Sequence, residues 1–390
     1  MTANATLAAA SSRTLRHDAA KADRQIAHWL LAVAALVFCM VVLGGVTRLT
    51  ESGLSIVEWQ PLIGAIPPLS EADWQALFAK YQATPEYQKV NLGMTLEGFK
   101  EIFWLEYLHR LLGRAIGVAF LLPFLYFLVR RRIRRGLAPQ LAVMFVLGAL
   151  QGALGWYMVK SGLSDRPDVS PYRLAAHLVL ATAIYLYMLW VALGLLAPRG
   201  PKARQGRGPR LVRVYAPALL GLTLLTLTAG AFVAGNDAGL AYNSFPLMDG
   251  RLVPQDLFPH EPAWRNGFEG LALVQLNHRL LAYLTVLGAL GLVIASGAYG
   301  TRSGLSVETR RVVWLVAGLA LGQAGLGVVT LLLYVPIALG AAHQGGALLL
   351  LTALLWASHS ARRAEGAPTS RRTEGTPGLT SAAPGSRRPA

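Results

Sequence analysis

A chain of 390 residues is long enough for two or three soluble domains, but 54% of it is apolar, and its 14% of charged residues compares with about 25% in ordinary globular proteins. With a mean hydropathy of +0.44, this composition excludes a soluble globular protein and points to a membrane protein. The net charge of +16 raises nucleic acid as a partner, a question that the placement of the charges decides. The single cysteine, Cys39, rules out an intramolecular disulfide and any cysteine-based metal or iron–sulfur centre. It lies in an apolar run and reads as a packing residue.

Residues 1–26 read as a cytoplasmic N-terminal segment. They lack a short apolar core followed by a small-residue cleavage site, so the first span serves as an uncleaved signal-anchor. Eight stretches reach the roughly 20 apolar residues that a bilayer core requires. They are Trp29 to Val46, Ile102 to Val129, Leu137 to Val159, Leu174 to Ala197, Val214 to Asn236, Leu271 to Tyr299, Val312 to Leu333 and Pro336 to Ser358. Alternate connections are basic: the N-terminal segment, RRRIRR at Arg130 to Arg135, the linker from Arg199 to Arg213, the turn around Arg302 to Arg311, and the tail. Together they hold 24 of the 36 basic residues and only five of the 20 acidic ones. That asymmetry puts both termini in the cytoplasm. It also accounts for the positive charge, so nucleic acid is not needed as a partner.

Two outward connections are long, about Thr47 to Glu101 and about Asp237 to Gly270. In the first, SEADWQALFAKY at 70–81 starts with a serine N-cap and predicts a short amphipathic helix. Its Trp74, Leu77, Phe78 and Tyr81 share a face that packs on the bundle or the headgroups. The Pro/Gly/Ser/Arg-rich tail after Ser360 reads as disordered.

The chain repeats itself. HRLL at His109 recurs at His278, QGALG at Gln151 recurs as QAGLG at Gln323, and AAH ending at His177 recurs at His343. GGVTRLTESGL (44–54) aligns with GAFVAGNDAGL (230–240). Each half holds four spans, 27–197 and 214–358, joined by the basic linker 198–213 and followed by the tail 359–390. Four is an even number, so the halves share an orientation. The fold class predicted is all-α: two tandem four-helix bundles related by a pseudo-two-fold axis along the membrane normal.

His17, His28 and His359 fall at cytoplasmic ends and His260 in an outer loop, and none of these is assigned to a site. His109, His177, His278 and His343 sit one in each even-numbered span, three to seven residues from its outer end, roughly 5–11 Å deep at about 1.5 Å per residue. Ionisable groups at such depth face a bundle interior for a reason. Each half supplies a facing pair, the pattern of bis-histidine ligation of haem iron. Gly148, Gly152, Gly155, Gly322, Gly325 and Gly327 permit close helix approach and make room for a macrocycle. Zinc fits less well without cysteine or carboxylate ligands. A di-iron centre would need a second Glu-x-x-His, whereas only Glu106-x-x-His109 is present.

The second half has Gln275 where the first has Glu106. At i and i+3, Glu106 shares a helix face with His109. A resident electron-transfer haem needs no neighbouring carboxylate, whereas a site that handles protons does. The first half therefore reads as reactive and the second as the resident haem site. An ion pair of Glu106 with Arg110 or Arg114 is the competing account. Arg110 and Arg279 each follow a histidine and suit haem propionates, with snorkelling as the alternative.

EYLHRLLGR (106–114), GGVTRLTESGLSIVEWQPLIGAIPP (44–68), QLNHR (275–279) and AAHQG (341–345) resemble the haem A synthase family, in its proteobacterial and mitochondrial branch, over residues 26–358. The outer-loop cysteine pair of other members is absent, so no role of that pair applies here. The resemblance implies an oxidoreductase of the bacterial inner membrane. It would oxidise the C8 methyl of haem O to a formyl group by successive hydroxylations and loss of water, giving haem A for cytochrome c oxidase. By the same resemblance, His278 and His343 ligate a haem b cofactor, His109 and His177 flank the iron of the substrate haem, and Glu106 matches the essential acid. The implied partners are haem O, a neighbouring haem O synthase (a farnesyltransferase), cytochrome oxidase assembly and an electron donor that the resemblance does not identify. Homo-oligomerisation is left open. Two rival classes are a quinol-linked di-haem cytochrome b, which predicts equal halves, and a non-catalytic haem transporter or chaperone, which predicts a polar path to the cytoplasmic side.

Overall fold

The computed structural model describes residues 2–59, 63–163, 169–197, 207–300 and 303–363. Among these residues every regular element is helical. Eight helices are long and apolar enough to cross a membrane: α1 (Thr2–Leu49), α4 (Leu96–Val129), α5 (Leu137–Gly162), α6 (Pro171–Leu196), α7 (Arg207–Gly235), α9 (Leu271–Ser296), α10 (Val307–Leu332) and α11 (Ile337–Arg363). Between them lie the short outer helices α2 (Glu71–Gln82), α3 (Pro85–Lys89) and α8 (Asn266–Glu269). The chain is thus an all-α multi-pass membrane protein.

The largest boundary difference is at α1, whose helix begins at Thr2 and runs without a break through residues 2–26. No glycine or proline occurs before Gly44 to interrupt it, and polar helix formers propagate the helix although hydropathy marks only its apolar part. The basic linker is described only from Arg207, where it is already the first turn of α7. Residues 359–363 complete α11; the rest of the tail, 364–390, lies outside the described residues.

The predicted outer-loop helix is α2. Ser70 caps it and exchanges bonds with Asp73 in a capping box. Its Trp74, Phe78 and Tyr81 pack edge-on, tilted and stacked, respectively, against Phe99 and, for Trp74, also Phe103 of α4. Burial pushes the Tyr81 phenol up to about 12. The Ser70 hydroxyl and amide hold the Asp73 carboxyl below its ordinary value. A depressed carboxylate contributes stability above its unfolded pKa and loses it as pH falls through the folded one. Ser70→Ala should therefore speed amide exchange in the first turn of α2 several-fold at neutral pH, where both the cap and the hydroxyl bond to the carboxylate are lost, and by less at pH 2, where only the cap bond is at stake. Equal exchange at neutral pH would show that the aromatic packing alone holds this turn.

The second half closes its own core, whereas the core of the first half runs across the seam to Leu227 of α7 and Leu348, Leu351 and Leu355 of α11. Ile26, Leu30, Val33, Leu141, Met144 and Leu189 centre the first; Val212, Ala216, Leu292, Val313, Ala320 and Leu354 centre the second. Within the first half α1 packs on α4 and α6, and α5 on α4 and α6. Within the second half α7 packs on α9 and α11, and α10 on α9 and α11. The halves meet through α1 with α11, α6 with α7, and α6 with α11. Exchanging the halves turns each of these pairings into another member of the set, or, for α6 with α11, into itself, which is compatible with the two-fold arrangement. Tyr185 and Thr352 share a 2.8 Å hydroxyl bond across α6 and α11, Gln344 donates to the Val41 carbonyl at 2.9 Å, and Arg48 pairs with Asp237 at 3.0 Å.

Candidate functional site

His278 of α9 and His343 of α11 face each other inside the second half, their ring centroids 6.4 Å apart and the planes at 86°. The His278 Nδ1 lies 3.0 Å from the Thr226 carbonyl of α7. A carbonyl only accepts, so this nitrogen carries the proton and Nε2 keeps its lone pair. Gln323 of α10 donates its amide N–H to the His343 carbonyl at 2.7 Å, and the same amide nitrogen lies 3.1 Å from the His343 Nδ1.

The first half repeats the layout without these ring bonds. Gln151 of α5 donates to the His177 carbonyl at 3.0 Å. The His177 Nδ1 and the Gln151 Oε1 are both buried without a hydrogen-bond partner. Among the described residues no ring pairing comparable to the second half joins His109 to His177.

A glycine of the neighbouring helix faces each of the four imidazoles. A Cβ placed there would come within 3.4 Å of the ring at Gly44 (His109), 3.1 Å at Gly155 (His177), 3.0 Å at Gly230 (His278) and 2.7 Å at Gly327 (His343). Gly44 corresponds to Gly230 in the repeat, and Gly155 to Gly327. Of the other glycines expected to make room, Gly148, Gly152, Gly322 and Gly325 meet nothing within 4 Å.

Glu106 is buried, and both of its oxygens are engaged. Oε2 accepts from the Ser55 hydroxyl at 2.7 Å and the Ile56 amide at 2.8 Å. Oε1 accepts from the Arg110 Nη2 at 2.6 Å and Nε at 2.9 Å. Arg110 also donates to the Ile56 and Glu58 carbonyls. The Glu106–Arg110 pair therefore clasps the backbone of the first outer loop. The second half has the matching clasp. Gln275 donates to the Ala238 carbonyl at 2.7 Å and accepts from Arg279 at 2.9 Å. Arg279 donates to the Tyr242 and Ser244 carbonyls at 3.0 and 2.9 Å.

This gives the Glu/Gln difference a second physical account. The first loop offers donors, which suit a carboxylate; the second offers a carbonyl, which suits an amide. The ion pair with Arg110 read as the competing account of Glu106 is present in the structure. Neither arginine is the free outer-surface cation that a propionate partner suggests, because both are committed to loop carbonyls. Arg279 retains one buried donor, Nε, without a partner. Trp59 of the first loop packs on Trp156 of α5 with centroids 5.6 Å apart, so this loop also reaches the top of the third span.

Sequence reasoning did not single out Thr226, Ser55, Ile56, Gly44 or Gly230. The glutamines of QGALG and QAGLG marked the repeat, and their approach to the AAH histidines was the available signal for a site role.

The chain matches the family COX15-CtaA, cytochrome oxidase assembly protein, over residues 27–355. It belongs to the COX15-CtaA family. Its relatives there include proteins named heme A synthase. One, from Nitrosospira multiformis, is 54% identical over 87% of this chain and 94% of its own. Another, from Paramagnetospirillum magneticum, is 51% identical over 88% and 95%. A third, from Rhodospirillum centenum, is 50% identical over 89% and 91%. As a COX15-CtaA member the chain aligns across all eight membrane helices, so both histidine pairs and both loop clasps lie within the shared region.

Proposed function

We propose that this chain is a haem A synthase that oxidises the C8 methyl of haem O to a formyl group through two hydroxylations and loss of water. The observation that carries this reading is the His278–His343 pair inside a member of this family. The two imidazoles, facing each other with ring centres 6.4 Å apart, would suit bis-histidine ligation of a haem iron. The bare Nε2 of His278 and the unpartnered Arg279 Nε fit a haem with an acidic edge. His278 and His343 would hold haem b, which when bound supplies one-electron redox chemistry.

His109 and His177 receive the substrate haem in the first half, with Glu106 beside them as the essential carboxylate. The exposure of α4 and α5 on that half supports a molecule that enters and leaves from the side. The most apolar stretches of α4 and α5 are 11% and 17% buried, against 28–50% in the other six spans. Haem O, with its farnesyl tail, would enter laterally from the bilayer, and a farnesyltransferase that makes it is the natural neighbour. The basic connections support a reading in which both termini lie on the cytoplasmic side of the bacterial inner membrane. The first half, 27–197, is the substrate half and the second, 214–358, the cofactor half.

Extraction and chromatography of the haems of the purified protein test the assignment. Haem B accompanied by haems O and A is the expected result. Haem B alone, at two per chain, would identify a di-haem cytochrome instead.

A further inference from the structure

We propose that the groove on the lipid side of α7 and α9 is a binding site for a membrane-soluble quinol, held by Asn277 and Thr228, which supplies electrons to the second-half haem. This rests on the haem reading above.

The groove has a volume of about 390 Å³, within the range of small-molecule sites. Leu225, Ala229 and Phe232 of α7 and Leu281 of α9 form its apolar walls, and Phe268 of the outer helix α8 lines it from the water side. Leu225 and Leu280 on its rim are half exposed, so it opens to the bilayer.

Two polar side chains stand in this lining. Asn277 lies six residues into α9 from Leu271, roughly 9 Å from its outer end at about 1.5 Å per residue. Its carboxamide has no hydrogen-bond partner among the described residues. An amide left unmet in a lipid-facing groove is costly. Thr228 donates its hydroxyl proton to the Leu224 carbonyl at 2.8 Å, which leaves its oxygen able to accept.

The repeat shows that the fold does not need this pair. Asn277 corresponds to Leu108 and Thr228 to Val42, so the same seam in the first half, between α1 and α4, is built with leucine and valine. The polar pair belongs only to the half read as holding the cofactor.

An acyl chain in the groove would leave both groups unmet. A quinol meets them. Its ring and prenyl tail suit the apolar walls, and its hydroxyl can donate to the Thr228 Oγ1 or the Asn277 Oδ1. After oxidation the quinone carbonyl accepts from the Asn277 Nδ2. One carboxamide thus serves both oxidation states.

The location suits electron delivery. Asn277 directly precedes His278 on α9, about 100° round the helix. Thr226 and Gly230, which meet the His278 ring from α7, directly follow the groove residues Leu225 and Ala229. The groove and the ring therefore lie on the two sides of one helix seam. In the transfer both O–H bonds of the quinol break and it becomes a quinone. Its two protons pass to the outer water, and its two electrons reduce ferric haem to ferrous in two successive one-electron events.

The test uses the full-length protein purified with its haem in nanodiscs. Irradiation with an azido-ubiquinone should label peptides of α7 and α9, and anaerobic mixing with decylubiquinol should reduce haem b. Asn277→Leu, the first-half residue at this position, should remove the label and slow the reduction about tenfold, the loss of one hydrogen bond to the ligand. Thr228→Val should slow it several-fold. In both variants the dithionite-reduced low-spin spectrum should match the wild type, a match that a merely structural role would not give. Wild-type reduction and labelling in Asn277→Leu would overturn the proposal, as would labelling confined to other helices. Labelling of the groove by a photoreactive phospholipid that decylubiquinone fails to displace would identify a lipid seat and overturn it too. Should Asn277→Leu fail to accumulate, Thr228→Val decides alone. Absence of haem b from the wild-type protein would instead sink the haem reading, while the photolabel still reports on the groove, so the two failures are distinguishable.

Discussion

Purified His278→Ala and His343→Ala proteins should lack the low-spin reduced-haem spectrum of the wild type, each having lost essentially all haem b. The two rings stand 6.4 Å apart on α9 and α11, and removing either would leave only one imidazole to hold a haem. Both side chains are cut back to alanine inside the bundle, so the folding cost is that of a modest cavity, about 2–5 kcal/mol at most for a large-to-small core change. The comparison that matters is with His109→Ala and His177→Ala, made in the same background. These should keep the haem b spectrum and lose haem A formation. A normal reduced-haem spectrum in both second-half variants would show that the cofactor lies elsewhere.

Glu106→Gln should abolish haem A formation while leaving haem b bound, with haem O or a hydroxylated intermediate accumulating in the membranes. The geometry explains why so small a change should matter. A glutamine there can offer its oxygen to Arg110, as Gln275 does to Arg279. Its amide nitrogen then confronts the Ile56 N–H and the Ser55 hydroxyl, which the carboxylate now satisfies. The serine can rotate and accept, but the Ile56 N–H is left buried and unpaired, at about 1–3 kcal/mol. The loop over the first-half site loosens in addition to any loss of proton handling by the carboxylate. Ser55→Ala separates the two effects, since it weakens the clasp and keeps the acid. Normal haem A levels in Glu106→Gln cells would show that the carboxylate is only a dispensable partner of Arg110.

The membrane helices were legible because a long apolar run in a sequence has few other uses, and the α2 cap because Ser70 and Asp73 sit at the spacing that a capping box requires. The four histidines were legible through the repeat. What escaped has a common cause. The Thr226 carbonyl is a backbone group with no residue signature, and its bond to His278 spans 52 residues. The clasp of Glu106 on Ser55 spans 51. Arg110 and Arg279 showed their charge but not their partners, since any loop carbonyl can hold a guanidinium and none is marked in the sequence. Gly155 and Gly327 read as small residues that admit a macrocycle, whereas in the structure each faces one imidazole. The start of α1 was hidden because hydropathy sees only the part of a helix that lipid covers.

The pairing of α1 with α11, α6 with α7, and α6 with α11 has the form of an isologous contact, the kind that joins two identical subunits across a dyad. In a homodimer of four-helix subunits every substitution would appear twice, and neither pocket could change without the other. Joining the copies in one polypeptide removes that constraint. Glu106 can then stand opposite Gln275, and the Gln323 ring bond opposite an unmade one at Gln151, without compromise between them. Division of labour between a storing pocket and a trading pocket is open to a tandem chain in a way that is closed to a symmetric pair.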